Sequence, residues 1–397
     1  MQPTSKVNLD EKSFEALKRT IKNVVVPHRE RKADPGFRTE MPEIMSLKLT
    51  NRCNLRCKHC YQWNEDGYHH DMDVAEQNLD MDLDLIRRLL EETDEAQSRL
   101  YLWGGEPLFH RQAQSILKLL QEHPRDTTFC TNAYMIPKYE EELCAISDNL
   151  ELLIPIEGFQ EEHDFLRGKN SFQKVIDAVD RLLELRKQGR FRGRISIHNV
   201  INDNMIGRMY ELVEFFEAKG VDLVLLCFPW YISEETSFAM DRFYDEHFQW
   251  LAELPPEHRA SWHAFKYHIK PENISRLTED LRRINNHTWH NTRIRYQPGL
   301  DFDEIEDFVA GKPMKSRSTS KCLALSTRVD IAPNGMVSAC KFFGELAIGN
   351  VKDTTLTEIW NSTRYDRLRR IMDEGLSPAC SKCNVLYLNT YAALTQV

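Results

Sequence analysis

From Ile44 onward the chain alternates short β-rich runs with longer runs of helical period, a pattern that few folds accommodate. The strand-like runs are Ile44–Thr50, Arg99–Trp103, Thr127–Thr131, Leu150–Ile156, Arg194–Ile201 and Asp222–Phe228. Between them lie helical runs such as Leu83–Thr93, Gln112–Glu122, Phe172–Gln188 and Ile206–Lys219. Repeated strand and helix units of this kind build a parallel sheet, and six of them within ~190 residues predict an α/β barrel or partial barrel. Catalytic groups of such folds gather at the carboxyl ends of the strands. The segment that follows Thr50 is therefore the first place to look for chemistry.

That segment, NRCNLRCKHCYQW, carries Cys53, Cys57 and Cys60 in a C-x3-C-x2-C arrangement. Zinc and most iron–sulfur sites take four protein ligands, whereas three cysteines can hold three corners of a cubane and leave one iron open. His59 could be proposed as a fourth zinc ligand, but between Cys57 and Cys60 it has to fold back sharply. In a reducing compartment ten cysteines read as metal ligands or reactive thiols rather than disulfides. The N-terminus, MQPTSKVNLDEK, has no apolar core, and no run of ~18 apolar residues occurs, so a cytoplasmic location without membrane spanning is expected. A net charge of -9 argues against a general nucleic-acid binder and weakly favours a cationic substrate. The basic run from Arg186 to Arg192 reads as a solvated helix end.

A C-x3-C-x2-C motif at the end of a first strand, with Tyr61 directly after it, resembles the radical SAM superfamily. The resemblance implies an α/β fold, a partial (β/α)6 TIM-like barrel of the radical SAM type. It also implies a [4Fe–4S] cluster on Cys53, Cys57 and Cys60 whose open iron is chelated by S-adenosylmethionine. An electron then cleaves the sulfonium to methionine and a 5′-deoxyadenosyl radical. Gly104-Gly105-Glu106-Pro107 is similar to the family segment that hydrogen-bonds the S-adenosylmethionine amino group. Glycine permits close backbone approach, and the Glu106 carboxylate suits an ammonium. Ile156-Glu157-Gly158, His163-Asp164, Arg167-Gly168 and Ser171-Phe172 look like the family's fourth-strand run, with Glu157 where Asp is usual. By that resemblance Glu157 reaches the ribose side and Arg167 the S-adenosylmethionine carboxylate. Tyr61 is expected against the adenine or packed in the core. Asn199 and Cys227 are expected to face the barrel interior.

A second set, Cys322, Cys340, Cys380 and Cys383, resembles a SPASM or twitch extension, with Cys322-x12-Gly335-x4-Cys340 as its opening. Val329–Gly335 reads as a hairpin whose turn signal is Asn334-Gly335. A zinc ribbon is the alternative for these four cysteines. A full SPASM domain continues with cysteines at the positions of Asn389 and Ala393, so the resemblance implies one auxiliary [4Fe–4S] cluster closed by four ligands. Such a cluster is suited to electron transfer. Lys341 stands where sulfatase-maturing relatives place an Asp base, which makes formylglycine formation less expected.

The expected organisation is a lead-in over 1–43 with a helix at Glu11–Ile21, a barrel over 44–235, a connecting or substrate-covering segment over 236–315, and a small twitch/SPASM-like cluster domain with a tail over 316–397. Pro255-Pro256 reads as a break in the covering segment. His258, His263, His268, His287 and His290 match no compact ligand set and read as surface or helix-packing residues.

The resemblance implies a radical SAM oxidoreductase that draws electrons from a flavodoxin- or ferredoxin-type reductant. Oxidation of an amino sugar or cyclitol is one expectation. Another is thioether or crosslink formation in a ribosomal peptide, a group that commonly carries a peptide-binding domain ahead of the cluster motif. With only 52 residues ahead of Cys53, an integral copy of that domain is not expected, and the peptide reading then requires a separate partner protein. A third is epimerisation with Cys227 as hydrogen donor, although a free cysteine is more often a small buried hydrophobe. The non-enzymatic alternative is an iron–sulfur electron carrier.

Overall fold

A computed structural model describes residues 1, 3–7, 11–254, 258–312, 314 and 321–388. The Pro255-Pro256 break and the positions of Asn389 and Ala393 lie outside the described residues. The six expected strands form as β1 (Ile44–Thr50), β2 (Arg99–Gly104), β3 (Thr127–Cys130), β4 (Leu150–Pro155), β5 (Arg194–Val200) and β6 (Leu223–Cys227). They pair in parallel in chain order, each hydrogen-bonded to the next.

Four further strands extend the sheet beyond the six of the barrel. β7 (Arg293–Gln297) pairs in parallel with β6, and β8 (Arg328–Ile331) pairs in parallel with β1 on the opposite flank. β9 (Met336–Ser338) and β10 (Ala347–Asn350) continue outward from β8 as antiparallel strands. The resulting order is β10-β9-β8-β1-β2-β3-β4-β5-β6-β7, and no ladder joins β7 to β10 among the described residues. The barrel is therefore open on one side. β7 lies inside the segment read as connecting, and its sequence RIRYQ, with charge at alternate positions, hides a strand whose polar side faces the barrel interior.

Period 2 sorts the side chains of each strand between two environments. Met45, Leu47 and Leu49 of β1, Leu100 and Leu102 of β2, Leu152 and Ile154 of β4, and Ile195 and Ile197 of β5 are essentially unexposed. They join one apolar cluster with helix residues such as Leu89, Leu117, Leu182 and Leu212. The intervening residues, among them Lys48, Tyr101, Cys130 and His198, face the interior, which is unusually polar. The helices form nearly as the sequence predicts, as Leu83–Glu92, Ala113–Glu122, Ser171–Lys187 and Met209–Lys219.

The lead-in helix corrects the expectation most, for it runs from Glu11 to Glu30 and carries Pro27 within it. Its extension delivers Arg31, fully buried, to the C-terminal module. There Nη1 of Arg31 donates to Cys322 O at 2.7 Å, and Nη2 pairs with Asp373 at 2.8 Å. The covering segment is tied to the same module. Glu345 accepts from Ser261 N and Ser261 Oγ at 2.6 and 2.7 Å, and Ala379 N donates to Met240 Sδ at 3.4 Å.

Removing one partner of a buried ion pair leaves an uncompensated charge and costs about 3–5 kcal/mol. Arg31→Ala is therefore expected to lower the melting temperature of the C-terminal module in scanning calorimetry. Exposed Arg29, paired with Glu30 at the surface, is the control, and Arg29→Ala leaves the transition close to that of the unaltered chain.

Candidate functional site

The cysteine loop leaves β1 and is pinned to the end of β2 chiefly by backbone, with Gln62 Nε2 adding a bond to Gly104 O at 3.3 Å. Gly105 N donates to Thr50 O and Glu106 N to Arg52 O, both at 2.8 Å. This contact explains the glycine pair. A Cβ on Gly104, whose φ is +153°, would meet Thr50 O at 2.5 Å, and one on Gly105 would meet Arg52 O at 2.1 Å. The Glu106 carboxylate is also engaged by the protein, through three donors that leave acceptor capacity for the expected ammonium. Its oxygens accept from Leu108 N at 3.0 Å, Thr131 Oγ1 at 2.7 Å and Asn132 N at 2.6 Å. Burial nonetheless pushes this carboxyl up to about 7. Glu106 thus fastens the glycine turn to the end of β3, and Asn132 Nδ2 reaches on to Asn54 within the cysteine loop at 2.8 Å.

All three thiols of the loop receive stabilising donors or charge. Leu55 N donates to Cys53 Sγ at 3.4 Å, the Gln62 and Trp63 amides serve Cys60, and Arg167 Nη1 lies 3.6 Å from Cys57 Sγ. Burial pushes Cys53 up to about 12 and Cys57 up to about 11, so these thiols are protonated at neutral pH until a cationic centre displaces their protons. Arg167 is held in turn by Glu157, whose Oε1 accepts from Nε at 3.1 Å and Nη2 at 2.7 Å. The same oxygen lies 3.2 Å from His59 Nε2, while Oε2 accepts from Val200 N at 2.7 Å. Burial raises the Glu157 carboxyl, and Arg167 and His59 more than reverse this, holding it well below the usual carboxylate range. His59 therefore faces a carboxylate. Tyr61 stacks on Phe265 at 4.5 Å between ring centroids and lies 6.2 Å from Tyr68.

The second cysteine set converges. Cys322, Cys340, Cys380 and Cys383 line one cavity, together with Lys341, Trp230 and several aliphatic side chains. Each thiol has donors: Leu325 and Ala324 amides for Cys322, Phe342 and Phe343 amides for Cys340, Ser377 for Cys380, and the Leu386 amide for Cys383. No group of His, Cys, Asp or Glu among the described residues converges tightly enough for a single metal ion. Four thiols around a cavity suit a polynuclear cluster better than zinc.

The two sets share a wall of rings. Tyr61, next to Cys60, stacks on Phe265; Phe265 is 4.6 Å from Trp230, and Trp230 is 3.8 Å from Phe342, two residues beyond Cys340.

Cys227 faces the interior as expected, buried against β7 with its Sγ 3.5 Å from Gln297 Oε1. Asn199 does not. It shares its side of β5 with Ile195 and Ile197, is paired in register with Leu226, and donates Nδ2 to Ile156 O at 2.7 Å. His198 is the β5 residue that faces inward. Reading strand phase from Ile195 and Ile197 finds it, and the same reading finds Lys48, whose ammonium donates to His69 Nε2 at 2.8 Å. The five histidines of 258–290 engage separate partners: His258 pairs with Glu345, His263 with Asp241, His268 Nδ1 with Lys266 O and His287 with Tyr210, while the amide of His290 donates to Glu217.

Breaking the Glu157–Arg167 pair is expected to lower the stability of the cluster-free protein by about 3 kcal/mol at pH 7 in Glu157→Gln, measured by urea unfolding. A carboxyl held low in the fold stabilises above its unfolded value of 4.5 and loses that contribution as pH falls. The gap between Glu157→Gln and the unaltered chain therefore narrows below about pH 4.5.

Comparison with known proteins agrees with this division. The profile of the radical SAM superfamily matches residues 47–213, and that of an iron–sulfur cluster-binding domain, SPASM, matches residues 322–384. A probable GTP 3′,8-cyclase of Archaeoglobus fulgidus is 25% identical over 185 residues, 46% of this chain and 58% of the relative. A tungsten-containing aldehyde ferredoxin oxidoreductase cofactor-modifying protein of Pyrococcus furiosus is 20% identical over 356 residues, 86% of this chain and 87% of the relative. The chain spans about half the length of the first curated relatives it matches, 42 to 58%. Among solved structures, Streptococcus suis SuiB bound to precursor peptide SuiA covers 96% of this chain and 76% of its own, with 16% identity and a TM-score of 0.57, a likeness of fold. The first domain binds a [4Fe–4S] cluster and S-adenosylmethionine, and the second binds auxiliary iron–sulfur clusters. The chain thus belongs to the radical SAM superfamily and carries a C-terminal SPASM iron–sulfur cluster-binding domain.

Proposed function

We propose that this protein is a peptide maturase: it abstracts hydrogen from a peptide substrate and passes the second electron to one auxiliary cluster held by Cys322, Cys340, Cys380 and Cys383. When bound, the first cluster and S-adenosylmethionine supply a 5′-deoxyadenosyl radical. The observation that carries the reading is the shared aromatic wall of Tyr61, Phe265, Trp230 and Phe342, which sets the two cysteine sets on one reaction chamber. An open trio and a closed quartet on that chamber divide the labour between radical generation and electron uptake.

The protein's own residues orient the cofactors and exclude water. The Gly104-Gly105 turn brings backbone against the cysteine loop, Glu106 and Asn132 lock that turn, and Arg167, anchored on Glu157, keeps a cation beside Cys57. The likeness to SuiB, which has been solved with a precursor peptide, supports a peptide as substrate. A flavodoxin- or ferredoxin-type protein is the proposed reductant.

Oxidation of an amino sugar or cyclitol uses the same two cofactors. A polycationic substrate is less well served, because the nearby carboxylates are taken: Glu106 by β3, Glu157 by Arg167, and Asp330 by Arg328 at 2.9 and 3.0 Å. Epimerisation rests on the inward-facing thiol of Cys227 and is separated by Cys227→Ala, which abolishes epimer formation and spares oxidation or crosslinking.

The test is anaerobic reconstitution with dithionite and S-adenosylmethionine, with 5′-deoxyadenosine followed by mass spectrometry. The combined Cys53→Ala, Cys57→Ala and Cys60→Ala variant is expected to form none while keeping the iron of the second set. Cys380→Ala with Cys383→Ala is expected to keep cleavage and lose peptide product. The peptides assayed are those encoded by short open reading frames found beside this gene, and the expected product is lighter by two hydrogens. Cleavage by the triple variant, or full product formation without the second cluster, overturns the reading.

A further inference from the structure

Lys341 is a cation of the second cysteine cavity that neither the fold nor the cofactor ligands account for. It follows a cluster ligand, Cys340, and lines the same cavity as the four thiols. Its ammonium lies 4.0 Å from the centre of the Tyr101 ring and 5.0 Å from that of Trp103, both on the inner face of β2. Among the described residues no carboxylate stands within ion-pair distance of it. Asp330, which borders the same cavity, is engaged by both Nε and Nη2 of Arg328, at 2.9 and 3.0 Å. Arg328 and Asp330 therefore cancel, and Lys341 is left as the net positive charge of this wall.

A buried cation without a counter-charge is costly, and three aromatic rings offset only part of its lost hydration. The compensating anion must come from something the cavity holds. A cubane carried by four thiolates is such an anion, since four negative ligands outweigh the charge of the iron–sulfur core.

We propose that Lys341 is a positioning residue for electron uptake, its ammonium raising the reduction potential of the auxiliary cluster so that the cluster accepts an electron from the substrate side of the chamber. One electron enters and nothing leaves, so the cluster becomes more negative by one unit, and a fixed cation nearby favours that reduced state. The placement over Tyr101 and Trp103 matters as much as the charge. Those rings hold the ammonium at the boundary between barrel interior and cluster cavity, on the side from which the electron arrives. The inference rests on the reading of Cys322, Cys340, Cys380 and Cys383 as ligands of one auxiliary cluster.

The test is an EPR-monitored redox titration of the reconstituted full chain carrying Cys53→Ala, Cys57→Ala and Cys60→Ala, so that only the second cluster reports. Lys341→Met is expected to make reduction at least tenfold less favourable, a midpoint lower by about 59 mV for one electron. Lys341→Glu lowers it further, and Lys341→Arg, which keeps the charge, restores most of the loss. Lys352→Met, an exposed lysine of the same module, leaves the midpoint in place. Iron content is measured for each variant, and only samples loaded like the parent are compared. If loaded Lys341→Met and Lys341→Glu titrate at the parent potential, or if Lys341→Arg shifts as far as Lys341→Met, the inference is overturned while the cluster assignment stands. If the parent shows no cluster signal that Cys380→Ala with Cys383→Ala removes, the assignment itself fails and takes the inference with it.

Discussion

One short backbone ladder decides where the chemistry lies. β8, Arg328 to Ile331, runs parallel to β1 with Arg328 opposite Ile44 and Ile331 opposite Leu47. β1 ends at the loop of Cys53, Cys57 and Cys60, and β8 feeds the hairpin that ends at Cys340. Because β8 runs parallel to β1 while β9 returns antiparallel with Ser338 opposite Asp330, Cys340 lies back toward the amino end of this ladder, where Cys322 precedes β8, and the trio follows the carboxyl end of β1. A module tethered only by a linker could not hold two redox centres at a constant separation. The buried contacts of Arg31 with Cys322 and Asp373 reinforce the ladder from the N-terminal side.

The division of each strand into an apolar outer face and a polar inner face carries a cost. Outward residues are interchangeable aliphatics, and their packing energy comes from area. Inward residues include buried ions, whose desolvation exceeds what an isolated pair recovers unless further hydrogen bonds complete it. Glu157 shows the completion: one carboxylate serves Arg167, His59 and the amide of Val200. A Met or Leu pair of the same volume would be a cheaper way to stabilise the fold. Retaining ions there makes sense for a chamber that must position charged groups.

Much of this was legible in the sequence. The six barrel strands and the helices between them emerge within a few residues because their periodicity is strong. The cysteine sets were legible because their spacing alone separates an open trio from a closed quartet. β7 was not, since RIRYQ alternates charge with hydrophobe and looks like a surface segment until its inner face is known to be polar. The side of β5 on which Asn199 lies was not legible, because Asn199 and His198 are adjacent polar residues and only the phase of Ile195 and Ile197 tells which of them faces inward. Motif and charge mark Glu106 as suited to an ammonium, whereas its three protein donors, the amides of Leu108 and Asn132 and the hydroxyl of Thr131, are set by the fold and have no signal in the motif. Arg31 lay beyond the reach of pattern reading, because its partners are some 300 residues away in sequence.

The two cysteine sets also differ in how charge is arranged around them, and the difference follows from ligand number. Beside the trio, Arg167 is tethered to a carboxylate, so the pair is neutral overall and the open position faces little net field from it. The buried lysine near the trio, Lys48, engages Tyr68 Oη and His69 Nε2 and is pushed down to about 7 by burial, so it adds little charge against the sulfonium and ammonium that S-adenosylmethionine brings. On the reading of one cluster held by Cys322, Cys340, Cys380 and Cys383, no ligand position beside the quartet is open and no cationic cofactor arrives. A cation left without a carboxylate, as Lys341 is, meets nothing that it would repel, and it lowers the cost of adding an electron to an already anionic centre. The same charge that would hinder the first site thus assists the second, and an Asp at position 341 would reverse that balance.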